Sequence, residues 1–174
     1  MVNEHPEFHV VKRFVTIGPF KDWVNIPFFP VGFATLWEHT RDEAIIAKSL
    51  KEIDLISVQT EIGSTLKLGG YKTLFQFLCH TNTVHKPIPS LNFQEWKAWQ
   101  EKLKKAKVWI FEAKSSKGYI AQAMGQILTY KELFSKDYPR TKIIGCGIIN
   151  EATNETDVLA QEACRGLGIK VFRM

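Results

Sequence analysis

The chain has 174 residues, enough for one domain with a single sizeable core. With 45% hydrophobic and 24% charged residues and no low-complexity run, it reads as an ordinary globular protein rather than a disordered or fibrous one. No apolar stretch approaches the ~20 residues that span a bilayer, and MVNEHPEFHVVKRF at the N-terminus lacks the apolar core of a signal peptide, so a soluble, cytoplasmic protein is expected. The net charge of +5 is compatible with a polyanionic partner. Cys79, Cys146 and Cys164 are odd in number and widely spaced, which predicts free thiols in a reducing compartment.

Residues 1–37 are rich in aromatics and prolines, with NIPFFPVGF at 25–33. X-Pro steps disfavour helix, so extended or irregular structure is expected there. Thr40 is placed to cap a short helix, RDEAIIAKSL, with acids in its first turn and Lys48 in its last. EIDLISVQTEI, 52–62, alternates as a strand, with Asp54, Ile56 and Val58 on one face and Ile53 and Leu55 on the other. Residues 64–78 read as a hairpin turning at Gly69-Gly70, and CHTNTVHKPIPS as a loop. Cys79, His80 and His85 in that loop fall short of the four closely paired ligands of a structural zinc site.

NFQEWKAWQEKLKKAK opens with a capping-box pattern, Asn92 and Glu95, and carries Phe93, Trp96, Trp99 (or Gln100), Leu103 and Ala106 at helical spacing. Its lysines, Lys97, Lys102, Lys104, Lys105 and Lys107, lie among tryptophans. That is either a solvated face or one that tracks a phosphate backbone. VWIFEAK, 108–114, is an apolar strand on which Val108, Ile110, Glu112 and Lys114 share one side. A helix from about Tyr119 to Ser135 follows, with Ile120, Ala123, Met124, Ile127 and Leu128 as its apolar stripe and Gly125 allowing close approach to the sheet. TKIIGCGII is a strand, ETDVLAQEACRGLG a helix stopped by glycine, and IKVFRM a final strand. Gly145-Cys146-Gly147 lies inside an apolar strand without the spacing of a phosphate loop. The strand–helix–strand–helix–strand order predicts an α/β fold with crossover helices.

Gln122, Gln126 and Tyr130, four residues apart, line one flank of the helix that follows the Glu112/Lys114 strand. The two charges either mark the strand's exit into water or converge with that flank on a site. Glu112-Ala113-Lys114 on an apolar strand, followed by GQILTY (125–130) on a helix, resembles the PD-(D/E)XK nuclease superfamily. The Gln126-x-x-x-Tyr130 spacing is similar to its RecB-like and lambda-exonuclease-like branch. The match covers residues 108–174 well and residues 1–60 poorly.

The resemblance implies a restriction-endonuclease-like core: a central mixed β-sheet flanked by helices, with an N-terminal extension (1–37) and an insertion (62–107). It implies Asp54, Glu112, Lys114, Gln126 and Tyr130 as catalytic residues of a Mg²⁺- or Mn²⁺-dependent deoxyribonuclease. Asp54, Glu112 and the Ala113 carbonyl would hold the metal, and Lys114 would orient or help deprotonate a water. Lys104, Lys105, Lys117, Gln122, Gln126 and Tyr130 would contact DNA, and many nucleases of this kind pair into dimers. The chain departs from the pattern upstream. The gap from Asp54 to Glu112 is long, Ile53 stands where the family has proline, and Glu61 is the substitute acid. Glu38 or Glu43 would supply the acid that a first helix often adds. The alternative is an inactive nuclease-like protein that binds nucleic acid or a partner.

Overall fold

The computed structural model describes residues 7–21, 23–59, 91–115, 119–151 and 158–174. In chain order the elements are α1 (Phe8–Ile17), β1 (Val24–Val31), α2 (Phe33–His39), α3 (Glu43–Ser49), β2 (Lys51–Gln59), α4 (Phe93–Lys102), β3 (Lys107–Lys114), α5 (Ile120–Asp137), β4 (Lys142–Asn150), α6 (Val158–Gly166) and β5 (Ile169–Arg173). The expected hairpin at 64–78, the Cys79/His80/His85 loop, Glu61 and Lys117 lie outside the described residues.

The strands form one mixed sheet in the order β1-β2-β3-β4-β5. The first two pairings are antiparallel and the last two parallel. Parallel neighbours need a crossover, and α5 and α6 supply the two crossovers. The fold is thus α/β with helices on both faces. One face packs Val108 and Ile110 of β3 with Ile120, Ala123 and Ile127 of α5, Phe33 of α2 and Trp96 and Trp99 of α4. The other packs Phe111 and Ala113 of β3 against Phe8, Val11, Phe14 and Val15 of α1. Among the described residues, no helix is long and apolar enough to cross a membrane.

The N-terminal expectation is corrected by α1 and α2. Phe8, Val11 and Val15 recur at helical spacing and bury one face of α1, a gain of about 1.5–3 kcal/mol for each side chain of this size. The prolines act where expected, in extended chain. Pro27 and Pro30 sit in β1, an edge strand, where a missing N–H spares the ladder. The first turn of α3 is capped by Asp42, whose side chain accepts from Ala44 and Ile45 N–H; Thr40 instead accepts from the Asp42 N–H. The capping box at Asn92 and Glu95 is present.

Two readings of α5 are also corrected. Leu128 is exposed, and the buried stripe runs through Ile120, Ala123, Ile127 and Phe134. Gly125 is exposed with nothing within 4 Å of a built Cβ, so it brings no backbone to the sheet. Close approach occurs in β4 instead. A Cβ on Gly145 would stand 2.3 Å from the Trp109 ring, and one on Gly147 2.6 Å from Phe111. The two glycines therefore make room for the aromatic layer of the α1 face.

The C-terminal end of α5 is fixed by one side chain. The buried Asp137 carboxylate accepts from Gly32 (2.7 Å), Phe33 (3.2 Å) and Ala34 (2.7 Å) N–H at the start of α2. Its main-chain oxygen accepts from Trp96 Nε1 and Gln100 Nε2 of α4. Burial pushes the Asp137 carboxyl up to about 6, against those three N–H groups. With α5 held at this end, its middle turns lie over the ends of β2 and β3.

Candidate functional site

β2 and β3 run antiparallel, with Leu55 opposite Phe111 and Ile56 opposite Ile110. One step further along the same register, Asp54 stands beside Glu112. The Asp54 Oδ2 accepts the Ala113 N–H at 2.7 Å, which locks the carboxylate against β3. On β3, the pleat turns Glu112 and Lys114 to the side of Val108 and Ile110, toward α5. There the Lys114 Nζ donates to Glu112 Oε1 at 2.7 Å, with both groups buried.

Gln126 and Tyr130, one turn apart on α5, close the same pocket of about 410 Å³, together with Leu50, Lys51, Glu52 and Glu7. Sequence reasoning missed Glu7 and Glu52. Glu7 is the N-cap of α1, and the signal for it was the apolar spacing of the helix it begins. The first turn of α1 is pinned at this end of the sheet by His9, whose Nε2 lies 2.8 Å from Glu151 Oε2, while the Glu151 N–H donates to the Lys114 carbonyl.

Neither Glu38 nor Glu43 reaches the pocket. Both are exposed, and Glu43 accepts from the Phe93 N–H. Gln122 is exposed one turn before Gln126 and does not line the pocket. Lys104 and Lys105 precede β3, at the opposite end of that strand from Glu112 and Lys114. They do not join the pocket either.

The electrostatics follow from burial and crowding. Burial first, and then the neighbouring Glu112, hold the Asp54 carboxyl well above the usual aspartate range, against the Ala113 N–H. Glu112 is also raised by burial, with the Lys114 ammonium pulling the other way. Burial and the Glu112 charge push Tyr130 up to about 12, so it is a neutral phenol that can donate. Glu112 Oε2 and Gln126 Oε1 are buried with no hydrogen-bond partner among the described residues. An acceptor buried without a donor costs about 1–3 kcal/mol, and Glu112 keeps its free oxygen turned away from solvent.

The pocket brings four carboxylates together with two ammonium groups. Oxygen donors of this kind suit a hard divalent cation, which would satisfy the free oxygen of Glu112 and relieve its repulsion of Asp54. Among the described residues, no group of three or more His, Cys, Asp or Glu is arranged to hold a metal by itself. Comparison of the chain with family models, curated proteins and solved structures gives no match.

Proposed function

We propose that the chain is a metal-dependent nuclease that hydrolyses phosphodiester bonds in DNA, on a restriction-endonuclease-like core of the PD-(D/E)XK type. One observation carries the reading. Asp54, distant from Glu112 in sequence, reaches the Ala113 N–H and stands beside Glu112, with Lys114 bonded to Glu112 and Gln126 and Tyr130 across the same pocket. This supports Asp54 as the upstream acid that the E-x-K and Q-x-x-x-Y motifs require; the substitute acid, Glu61, lies outside the described residues.

Asp54, Glu112 and the Ala113 carbonyl would hold Mg²⁺ or Mn²⁺. The bound cation would lower the pKa of a water and offset charge developing on the scissile phosphate. The acidity of the pocket supports the need for that cation. A phosphodiester entering among Glu7, Glu52, Asp54 and Glu112 is repelled unless positive charge beyond Lys51 and Lys114 is present. Lys114 directs one N–H at Glu112, leaving two to donate to a phosphate oxygen or to hold the attacking water. Tyr130, kept neutral, donates a hydrogen bond to the substrate backbone, and Gln126 orients it.

The reading is tested by incubating plasmid and single-stranded DNA with Mg²⁺, with Mn²⁺ and with EDTA, alongside Glu112→Ala and Lys114→Ala. Cleavage that needs the metal and both side chains is expected. No cleavage with any divalent metal, or wild-type cleavage by Lys114→Ala, overturns it. The alternative, an inactive nuclease-like protein that binds nucleic acid or a partner, predicts salt-dependent DNA binding with no metal-dependent cleavage.

A further inference from the structure

At the end of the sheet opposite the pocket, the chain crosses itself at the starts of β3 and β4. Lys102, Lys104, Lys105 and Lys107 approach β3, and Arg140 and Lys142 enter β4; all six are exposed. The two crossings are stapled together. The Lys105 N–H donates to the Arg140 carbonyl and the Lys142 N–H to the Ala106 carbonyl, both at 2.9 Å, and Thr141 Oγ1 donates to the Leu103 carbonyl at 3.0 Å.

Among the described residues of these turns, Glu101 is the one exposed carboxylate, and Arg140 and Lys104 share it. Lys107 and Lys142 are direct register partners on neighbouring strands, where like charges repel. Lys105 takes a left-handed φ of 64° in the turn after α4, where its N–H reaches the Arg140 carbonyl. An anion at this surface would relieve the repulsion.

We propose that this end of the sheet is a second nucleic-acid-binding surface that holds the backbone of a duplex. The partner's class follows from charge and from the scarcity of apolar anchors. Among the described residues, Ile144 is the one exposed large apolar side chain of these turns and strand starts, whereas a segment that lies on a membrane presents a whole apolar face. Lys107 and Glu112 stand about 17 Å apart along β3 at ~3.3 Å per residue. The phosphates gripped here are therefore different ones from that in the pocket. The inference rests on the nuclease reading only for its choice of nucleic acid over other polyanions.

The test is fluorescence anisotropy of a labelled mixed-sequence duplex of roughly 20 base pairs, in EDTA, over a series of salt concentrations. Wild type is compared with Lys105→Glu/Lys142→Glu. Because each phosphate contact contributes about 0.9 to the slope of log affinity against log salt, the double reversal should lower that slope by about 2 and weaken binding at least tenfold at low salt. Circular dichroism should show an unchanged fold. If the double reversal fails to fold, Lys105→Gln and Lys142→Gln should each lower the slope by about 1.

Unchanged affinity and slope in the reversed protein overturn the proposal. So does a wild type that ignores duplex at every salt, or one whose patch-dependent binding is to phosphatidylserine vesicles alone. Because the binding assay holds no metal, it is independent of catalysis: duplex binding through the patch, with no cleavage in a separate assay containing Mg²⁺ or Mn²⁺, would sink the nuclease reading and leave this one standing. Metal-dependent cleavage with a neutral patch would do the reverse.

Discussion

Asp54→Asn should stabilise the metal-free protein. Asp54 is buried beside a second buried carboxylate, and its carboxyl is raised by burial and by Glu112. On neighbouring antiparallel strands the two residues stand about 5 Å apart. At an effective dielectric constant of ~20, their repulsion is about 3 kcal/mol when both are ionised. The Lys114 ammonium on Glu112 offsets part of this, leaving a net gain of about 1–2 kcal/mol when the Asp54 charge is removed. Asparagine keeps an oxygen for the Ala113 N–H, so the bond that orients the side chain survives. For a chain of this length the gain corresponds to a Tm rise of about 3–6 °C.

The pH dependence has a definite sign. A carboxyl raised in the folded state binds more protons there than in the unfolded chain. Wild type therefore loses stability as pH climbs from the unfolded aspartate value of about 3.9 through the raised folded one. The advantage of Asp54→Asn should be absent below about pH 4, where both states are protonated, and fully developed at alkaline pH. Thermal unfolding of both proteins across that range in EDTA measures it. Adding Mn²⁺ should raise the wild-type Tm more than that of the variant. A variant less stable than wild type by the same margin at every pH would refute the reasoning, because the two carboxylates would then not be in conflict.

Two further substitutions test the scaffold that aims α5 at the site. Asp137, raised to about 6, should cost wild type about 3 kcal/mol of stability between pH 4 and 7 as its carboxylate ionises in the core. Urea unfolding should show that part of the loss missing from Asp137→Asn, and parallel pH curves for the two proteins would contradict the assignment. Tyr138 is buried, with a hydroxyl that has no hydrogen-bond partner among the described residues. Tyr138→Phe should thus raise stability by about 1 kcal/mol in the same assay, and a loss of that size would show that the hydroxyl is satisfied.

The C-terminal half was legible because its signals are local. Alternation on β3 puts Glu112 and Lys114 on the side of Ile110, and the spacing of Ile120, Ala123 and Ile127 sets which flank of α5 meets them. Gln126 and Tyr130 follow from that same period. Other features are set by partners remote in sequence. Nothing near Asp54 says that it will pair with the Ala113 N–H, since the antiparallel register of β2 on β3 decides this.

Glu7 was hidden for a different reason. Prolines at 27 and 30 coloured the reading of the whole N-terminal segment, although they affect only the edge strand, and Phe8, Val11 and Val15 already carried a helical period. Leu128 was assigned to the core by spacing alone, yet the apolar stripe of α5 is narrower than the spacing allows, and Leu128 lies outside it. The lysines of 102–107 read as a solvated face or one that tracks a phosphate backbone, and their sequence does not say where that face lies; it adjoins the end of β3 opposite Glu112 and Lys114.

The central claim is that the pocket of Asp54, Glu112 and Lys114 cuts DNA, and single-turnover cleavage of supercoiled plasmid with Mn²⁺ tests it most directly. Wild type should convert the plasmid, EDTA should stop it, and Lys114→Ala should be slower by at least about 10²-fold, the scale of losing a proton-handling group. Intact plasmid after prolonged incubation with Mg²⁺ or Mn²⁺, or a Lys114→Ala protein that cuts at the wild-type rate, would contradict it.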